Sequence, residues 1–292
     1  MDATAIKLYF SAWKRSRRTT PSSQTDKARE RTLKKMYSTF ARFYDRLNTE
    51  VDYEKRADYF CRVIDRHFSR ESRLLLDLGC GTGSLSFPLA RRGWDVIGVD
   101  GSGEMLSFAM QKLAAFEGDP RPLFLQQEME RLDLFGTVDI CICALDSVNH
   151  ITDPQRLAEV FQRLSLFVES GGLFIFDANT LYKHRHVLNG STFVFDEEEV
   201  YCVWQNAMSD PCTVEITLDF FERTEGNSYR RSSERFFERA YSTEELQAIG
   251  KKAGFELIAV YTADSFAGPK ENAQRLVYVM ENMTEHRAAP VE

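Results

Sequence analysis

Histidine is scarce in this chain, five in 292 residues, and no H-E-x-x-H pair occurs; the six cysteines include no C-x-x-C spacing. A zinc site of either common type therefore has no sequence support. Also missing are the phosphate loop G-x-x-x-x-G-K-[ST], the nucleophile elbow G-x-S-x-G and a Tyr-x-x-x-Lys pair. These absences remove the usual sequence marks of nucleotide hydrolysis, acyl transfer and one class of dehydrogenase. No apolar run approaches the length that spans a bilayer, and the opening Met1-Asp2-Ala3-Thr4 lacks the cationic lead of a signal peptide. The expectation is a cytoplasmic protein with no membrane span and no metal. Cys141 and Cys143 alternate along an apolar run and Cys80 lies in a loop, which reads as reduced thiols.

What is present suits a soluble core: 43% of residues are apolar, enough for one large α/β domain with an insertion or for two small domains. The net charge of −7 conceals a segregation, because residues 1 to 35 carry ten Lys and Arg against three acids. The remainder is strongly acidic, which argues against a broad nucleic-acid surface and leaves the basic arm as a contact for phosphates or a membrane face, or as a solvated tail.

The informative stretch is Leu74-Leu75-Leu76-Asp77-Leu78-Gly79-Cys80-Gly81-Thr82-Gly83-Ser84. An apolar strand breaks into a glycine loop, and a helical pattern starts at Leu85. Glycines at alternate positions let backbone approach a ligand, and the free N–H groups of the helix start favour an electron-rich group. A dinucleotide fingerprint reads G-x-G-x-x-G, whereas this loop reads G-x-G-x-G with a carboxylate, Asp77, ahead of it. That spacing disfavours NAD and suits a ligand with a cationic end, such as the amino group and sulfonium of S-adenosylmethionine. A second strand, 95–99, ends at Asp100, 17 residues past Gly83, where a carboxylate can accept both ribose hydroxyls.

These residues, together with Gly98-Val99-Asp100, resemble the class I S-adenosylmethionine-dependent methyltransferases. The resemblance runs over roughly 36–282 and is nearest to bacterial small-molecule members, including sugar-amine N-methyltransferases. It implies a Rossmann-like, doubly wound seven-stranded sheet whose last strand is antiparallel. It also implies cofactor contacts at Asp77, Gly79, Cys80, Gly81, Gly83, Asp100, Gly101, Met105, Glu128, Met129 and Leu145. At the position of Glu128 the family mostly has Asp, accepting from the adenine amino group. The pair Tyr44-Asp45 matches a segment that lids the cofactor in such enzymes, and Tyr44 and His150 match positions that approach the acceptor amine. Read from the residues alone, Phe40 and Phe43 are core and Tyr44 is half exposed.

Along the chain, residues 1–27 read as a basic appendage ending in Thr19-Thr20-Pro21-Ser22-Ser23, and two helical patterns follow, one through Leu33, Met36, Phe40 and Phe43 and one through Tyr59 to Phe68. Strands and helices then alternate from Arg73, the mark of a parallel sheet covered on both faces. A helix opening at Asp153-Pro154 is expected to stop at Gly171-Gly172, with the fifth strand beginning at Leu173. Residues 190–240 change period: Val214, Ile216, Leu218 and Phe220 alternate with polar residues, predicting an inserted antiparallel sheet on the substrate side. That insertion carries eleven acids and five arginines, which either serve a polar or cationic substrate or form its solvated face. Ser242-Thr243-Glu244-Glu245 is a capping box for a helix closed by Gly254. The expected organisation is thus an appendage 1–27, a core 28–189 and 241–283 with a helical lid, the inserted sheet 190–240, and a tail 284–292.

Methyl transfer needs proximity, orientation and removal of a proton, not a covalent nucleophile. His150 is the candidate base, since imidazole titrates near neutrality and follows the fourth strand, where the crevice of an open α/β sheet lies. His184 and His186 come after it, and Asp146, Asn149 and Tyr182 share the rim; His67 and His286 look incidental. The expected function is methylation of a small polar acceptor, plausibly at nitrogen. The alternatives are a non-catalytic cofactor-binding or partner protein and an NAD-type oxidoreductase.

Overall fold

The computed structural model describes residues 38–284 apart from Ser72 and Asn227. The appendage 1–27, the start of the first helical pattern at Leu33 and Met36, His286 and the tail beyond Thr284 lie outside the described residues. Helix α1 (Ser38–Leu47) and helix α2 (Tyr53–His67) precede the sheet. Asp52 caps α2, accepting from the Lys55 backbone N–H at 3.0 Å, as a short carboxylate does at an N-terminus.

Strands β1 (Leu74–Leu78), β2 (Asp95–Asp100), β3 (Leu123–Gln126), β4 (Val138–Cys143) and β5 (Val168–Asn179) alternate with helices α3 (Ser86–Arg91), α4 (Gly103–Ala114) and α5 (Pro154–Phe167). Four strands of an antiparallel sheet follow: β6 (Thr192–Asp196), β7 (Val200–Met208), β8 (Thr213–Arg223) and β9 (Tyr229–Arg239). Helix α6 (Thr243–Ala253), β10 (Phe255–Thr262) and β11 (Arg275–Asn282) complete the chain. The large sheet has the order β10-β11-β5-β4-β1-β2-β3, with β11 antiparallel to both neighbours. This is the Rossmann-like seven-stranded arrangement, with a separate four-stranded sheet β6-β7-β8-β9.

The strands read as unbroken apolar runs because both faces are covered. Leu76, Cys141, Phe174 and Phe176 point to one face, against Leu157 and Phe161 of α5 and Leu246 of α6. Their neighbours Leu75, Ile140, Ile142 and Ile175 point to the other, against Phe60 and Val63 of α2 and Leu89 of α3. Asp153 caps α5 with Pro154 in the first turn, and the Ser242 capping box and left-handed Gly254 bound α6. One boundary differs from expectation. Helix α5 ends at Phe167, and Gly171-Gly172 lies inside β5, where the pairing with β4 slips between Val138 and Ile140. A Cβ on Gly172 would meet the Asp139 carbonyl oxygen at 2.6 Å, so the glycine serves strand packing there.

The small sheet presents Val214, Ile216, Leu218 and Phe220 to Phe40, Phe43 and Leu47 of α1 and Met105 of α4. Phe43 stacks on Phe220 and Phe40 lies against Phe236. Part of the charge is solvated, as in the Arg235–Glu215 and Arg231–Asp219 pairs. Glu222, Glu234 and Glu238 instead point inward and are 8%, 6% and 5% exposed. Glu234 accepts from the Phe40 backbone N–H at 2.7 Å, and Glu222 pairs with Arg42, so carboxylates as well as rings fasten α1 to this sheet. No helix among the described residues is long and apolar enough to cross a membrane.

Candidate active site

The glycine loop leaves β1 with Gly79, Gly81 and Gly83 at φ of +74°, +54° and +73°, conformations that favour glycine. The N–H groups of Gly79 and Cys80 donate to the Val99 carbonyl at 2.7 and 3.0 Å, which ties the loop to β2. The three glycines are not equivalent. A Cβ on Gly79 would meet the Met129 methyl at 2.8 Å and one on Gly83 would meet the Phe124 ring at 2.8 Å, whereas one on Gly81 would meet nothing within 4 Å. Asp100 stands across the loop, accepting from the Gly81 N–H and the Ser102 N–H, each at 2.8 Å.

A cavity of about 30 Å³ is lined by Asp77, Gly81, Leu145 and Ser147 together with Tyr44 and Tyr53. Asp77 is buried and accepts from the Ser86 hydroxyl at 2.5 Å. Burial pushes its carboxyl up to about 7, the Ser86 hydrogen bond opposing only part of that. The Tyr53 hydroxyl is buried beside that of Tyr44 without a well-formed hydrogen bond. Burial, reinforced by Tyr53 and Asp146, raises the Tyr44 phenol well above its ordinary value, so it stays protonated.

The Tyr44 segment is pinned by the next residue. Asp45 Oδ1 accepts from the hydroxyls of Thr82 and Ser84 at 2.7 and 3.0 Å, and Lys112 Nζ of α4 lies 2.6 Å from Asp45 Oδ2. Lys112 also donates to both hydroxyls, at 3.0 and 2.7 Å. The segment thus bridges α1, the glycine loop and α4.

After β4 the backbone turns sharply, with Leu145 and Asp146 at φ of +56° and +55°. Non-glycine residues hold this conformation only where their surroundings impose it. Here Asp177 Oδ1 accepts from the Asp146 N–H at 2.7 Å, and Arg275 bridges Asp146 and Asp177 at 3.0 Å each. Arg56 reaches the other Asp177 oxygen at 3.1 Å, and Asn179 donates to Asp146. Burial opposes the charge on Asp146, but Arg275, Lys183 and His150 outweigh it and hold the carboxyl well below the usual range.

Of the residues picked out from the sequence, Tyr44, Asp77, Gly79, Cys80, Gly81 and Leu145 surround the cavity. Asp100 adjoins it through Gly81, and Met129 backs Gly79. Gly101 faces the Glu128 carboxylate, 3.2 Å from where its Cβ would be, and Met105 is buried against the small sheet. Gly83 supplies backbone only, its Cα packed on Phe124 and Phe87. His150 does not line the cavity; it belongs to the rim after β4, tilted against Phe236 and partly exposed. Asn149 is buried and structural, its amide donating to the carbonyls of Asn179 and Arg239. His184 is fully buried, while Tyr182 packs on His186. Tyr53, Thr82, Ser84 and Lys112 were not read from the sequence, nor were Arg56 and Arg275. Asp52, a recognisable cap, is the one local signal near Tyr53.

A family model described as a methyltransferase domain matches residues 75–172. A putative methyltransferase of Bacillus subtilis is 32% identical over 245 residues, covering 83% of this chain and 96% of that protein. The crystal structure of an S-adenosylmethionine-dependent methyltransferase from Clostridium acetobutylicum superposes with a TM-score of 0.74 at 31% identity, over 84% of this chain and 98% of the other. A sugar N-methyltransferase from a Streptoalloteichus species shares the fold at a TM-score of 0.66 and 22% identity, over 81% and 92% of the two chains. With the glycine loop and Asp77 set around one cavity, Asp100 bonded to that loop, and relatives matching nearly end to end, the chain belongs to the class I S-adenosylmethionine-dependent methyltransferases.

Proposed function

We propose that this methyltransferase acts on a small polar acceptor at nitrogen, with Asp77, the glycine loop and Asp100 holding the cofactor and with Tyr44 and His150 addressing the acceptor. The carrying observation is the pairing, at one cavity, of a buried carboxylate with the open space at Gly81. A cationic end beside Asp77 gains a charge partner, backbone can approach a nucleoside at Gly81, and the buried Tyr53 hydroxyl gains a partner. The residues fit S-adenosylmethionine, which when bound supplies a methyl group activated by its sulfonium. The nitrogen assignment draws on the sugar N-methyltransferase that shares the fold. A screen of metabolite pools and amino sugars for label from methyl-labelled cofactor tests it; label found only on oxygen or carbon acceptors would refute it.

The division of labour follows from protonation. A phenol kept protonated by burial orients an acceptor by donating, so Tyr44 steers while His150 takes the proton. Asp77 gives a pH signature. In the free protein its carboxyl holds a proton below about 7, and that proton must leave when a cation binds. Cofactor affinity is therefore expected to fall about tenfold per pH unit below 7 and to level off above it, with proton release on binding at pH 6. Calorimetry in buffers of different ionisation enthalpy measures both, and a flat affinity from pH 5.5 to 7.5 would remove Asp77 from the cation site. The same upward shift lowers the stability of the free protein as pH rises between about 4 and 7, because the unfolded chain gives up this proton first.

Tyr44 and Tyr53 line the cavity, and the contacts of Asp45 hold the Tyr44 segment to the glycine loop and α4. Asp45→Ala is expected to raise the cofactor dissociation rate about 3–10-fold, the scale of a lost exposed hydrogen-bond cluster, while leaving the melting temperature nearly unchanged. Stopped-flow displacement of labelled cofactor measures it. An unaltered rate would mean that another contact holds the Tyr44 segment.

A further inference from the structure

We propose that Glu238, from the small sheet, is a positioning residue for His150: it accepts from Nε2–H and so leaves the Nδ1 lone pair for the acceptor. The inference rests on the reading of His150 as the base. Glu238 closes β9 on its inward face and is 5% exposed. Its Oε1 lies 3.9 Å from His150 Nε2 and its Oε2 lies 3.7 Å from His184 Nε2, while Asn179 donates to Oε2 at 3.1 Å. Both ion-pair partners within 4 Å among the described residues are therefore imidazoles.

The two histidines are held differently. His184 is fully buried and its Nδ1 lies 3.2 Å from the Cys212 carbonyl, an acceptor, so Nδ1 carries a proton. Its Nε2 has no hydrogen-bond partner among the described residues and lies 3.7 Å from the Glu238 carboxylate. Asn179, donating to Oε2, fixes the carboxylate. His150 lies at the rim with 32% of its side chain exposed and is tilted at 36° against Phe236, with ring centres 5.3 Å apart, Phe236 standing two residues before Glu238 on the same inward face. One strand thus supplies a neighbour for the ring and an acceptor for one of its nitrogens.

Which imidazole nitrogen carries the proton is set by the partner of the other. With Nε2–H turned to a carboxylate, Nδ1 is the free base, the arrangement by which buried carboxylates orient catalytic histidines. In the step this serves, the acceptor nitrogen would form a bond to the methyl carbon as the S–C bond of the cofactor breaks, leaving a neutral thioether, and the nitrogen would lose one proton. Nδ1 takes that proton, and Glu238 stays ionised and stabilises the imidazolium. A separation of 3.9 Å is long for a hydrogen bond, as is common before an acceptor is in place.

The test needs no acceptor. In nitrogen-edited proton spectra of the full chain, with His150 assigned through His150→Gln, the wild type should show its proton on Nε2, exchanging with water at least about tenfold more slowly than free imidazole. Glu238→Leu should abolish that protection, and Glu238→Gln, which retains an acceptor oxygen, should keep most of it. Equal exchange in wild type and Glu238→Leu would overturn the proposal. So would a wild-type His150 with its proton on Nδ1, which decides the matter even if the leucine variant fails to fold. Turnover of His150→Ala judges the base reading separately: full activity there discards His150 as base, whatever the spectra show.

Discussion

Replacing Arg275 with methionine is expected to lower the unfolding free energy by about 3–5 kcal/mol, the cost of removing one member of a buried ion network and leaving its partners charged. Arg275 bridges Asp146 and Asp177 at 3.0 Å each; the Asp177 side chain is fully buried and the Arg275 side chain is 18% exposed. Arg56 would remain on Asp177 at 3.1 Å, but Asp146 would lose its nearest cation. Methionine keeps much of the volume, so the loss reports charge and not a cavity. Urea unfolding should show a lower midpoint with an unchanged slope. Asp146→Asn combined with Arg275→Met should cost clearly less than the sum of the single changes, since each removes the other's unpaired charge. A loss below about 1 kcal/mol would mean that Arg56 and the backbone donors suffice. The functional consequence is local: the network holds Leu145 and Asp146 in left-handed backbone, an arrangement costing of order 1–3 kcal/mol per residue, and Leu145 walls the cavity. Cofactor affinity should therefore drop along with stability.

That network also marks where reading the sequence stopped. Asp77, Gly81 and Asp100 were legible because their meaning is local: a strand, a turn and a helix start within a few residues, and a second strand at a fixed offset. Caps at Asp153 and Ser242 were legible for the same reason. Arg275 and Asp177 are 98 positions apart and Arg56 and Asp177 are 121 apart, and nothing in either neighbourhood announces the pairing. The small sheet shows a subtler limit. A period of two says which residues share a face, and apolar residues then say which face is inward. On β9 the inward positions are Glu234, Phe236 and Glu238, so charge and burial coincide and the polar residues misreport the face. Gly171-Gly172 failed likewise, since two glycines end a helix as readily as they kink a strand.

The largest effect belongs to the acceptor side. His150→Ala is expected to lower turnover by about 10²–10⁴-fold if the imidazole removes the acceptor proton, with cofactor affinity almost unmoved. The affinity arm follows from position: His150 lies outside the cavity, which is bounded by Asp77, Gly81 and Leu145. Tyr44→Phe should lower turnover less and also loosen the cofactor, because this residue lines the cavity itself. The two changes should act on different limbs of the pH profile. A lost base can be replaced by solvent at high pH, where an amine acceptor arrives already neutral and proximity alone sustains much of the rate. Without His150 the deficit should therefore shrink as pH rises toward the acceptor's own ionisation, whereas the Tyr44→Phe deficit, one of orientation, should persist at every pH. Full turnover of the double variant across the pH range would refute both roles and turn attention to Asp146 and Tyr182, two other polar groups of that rim.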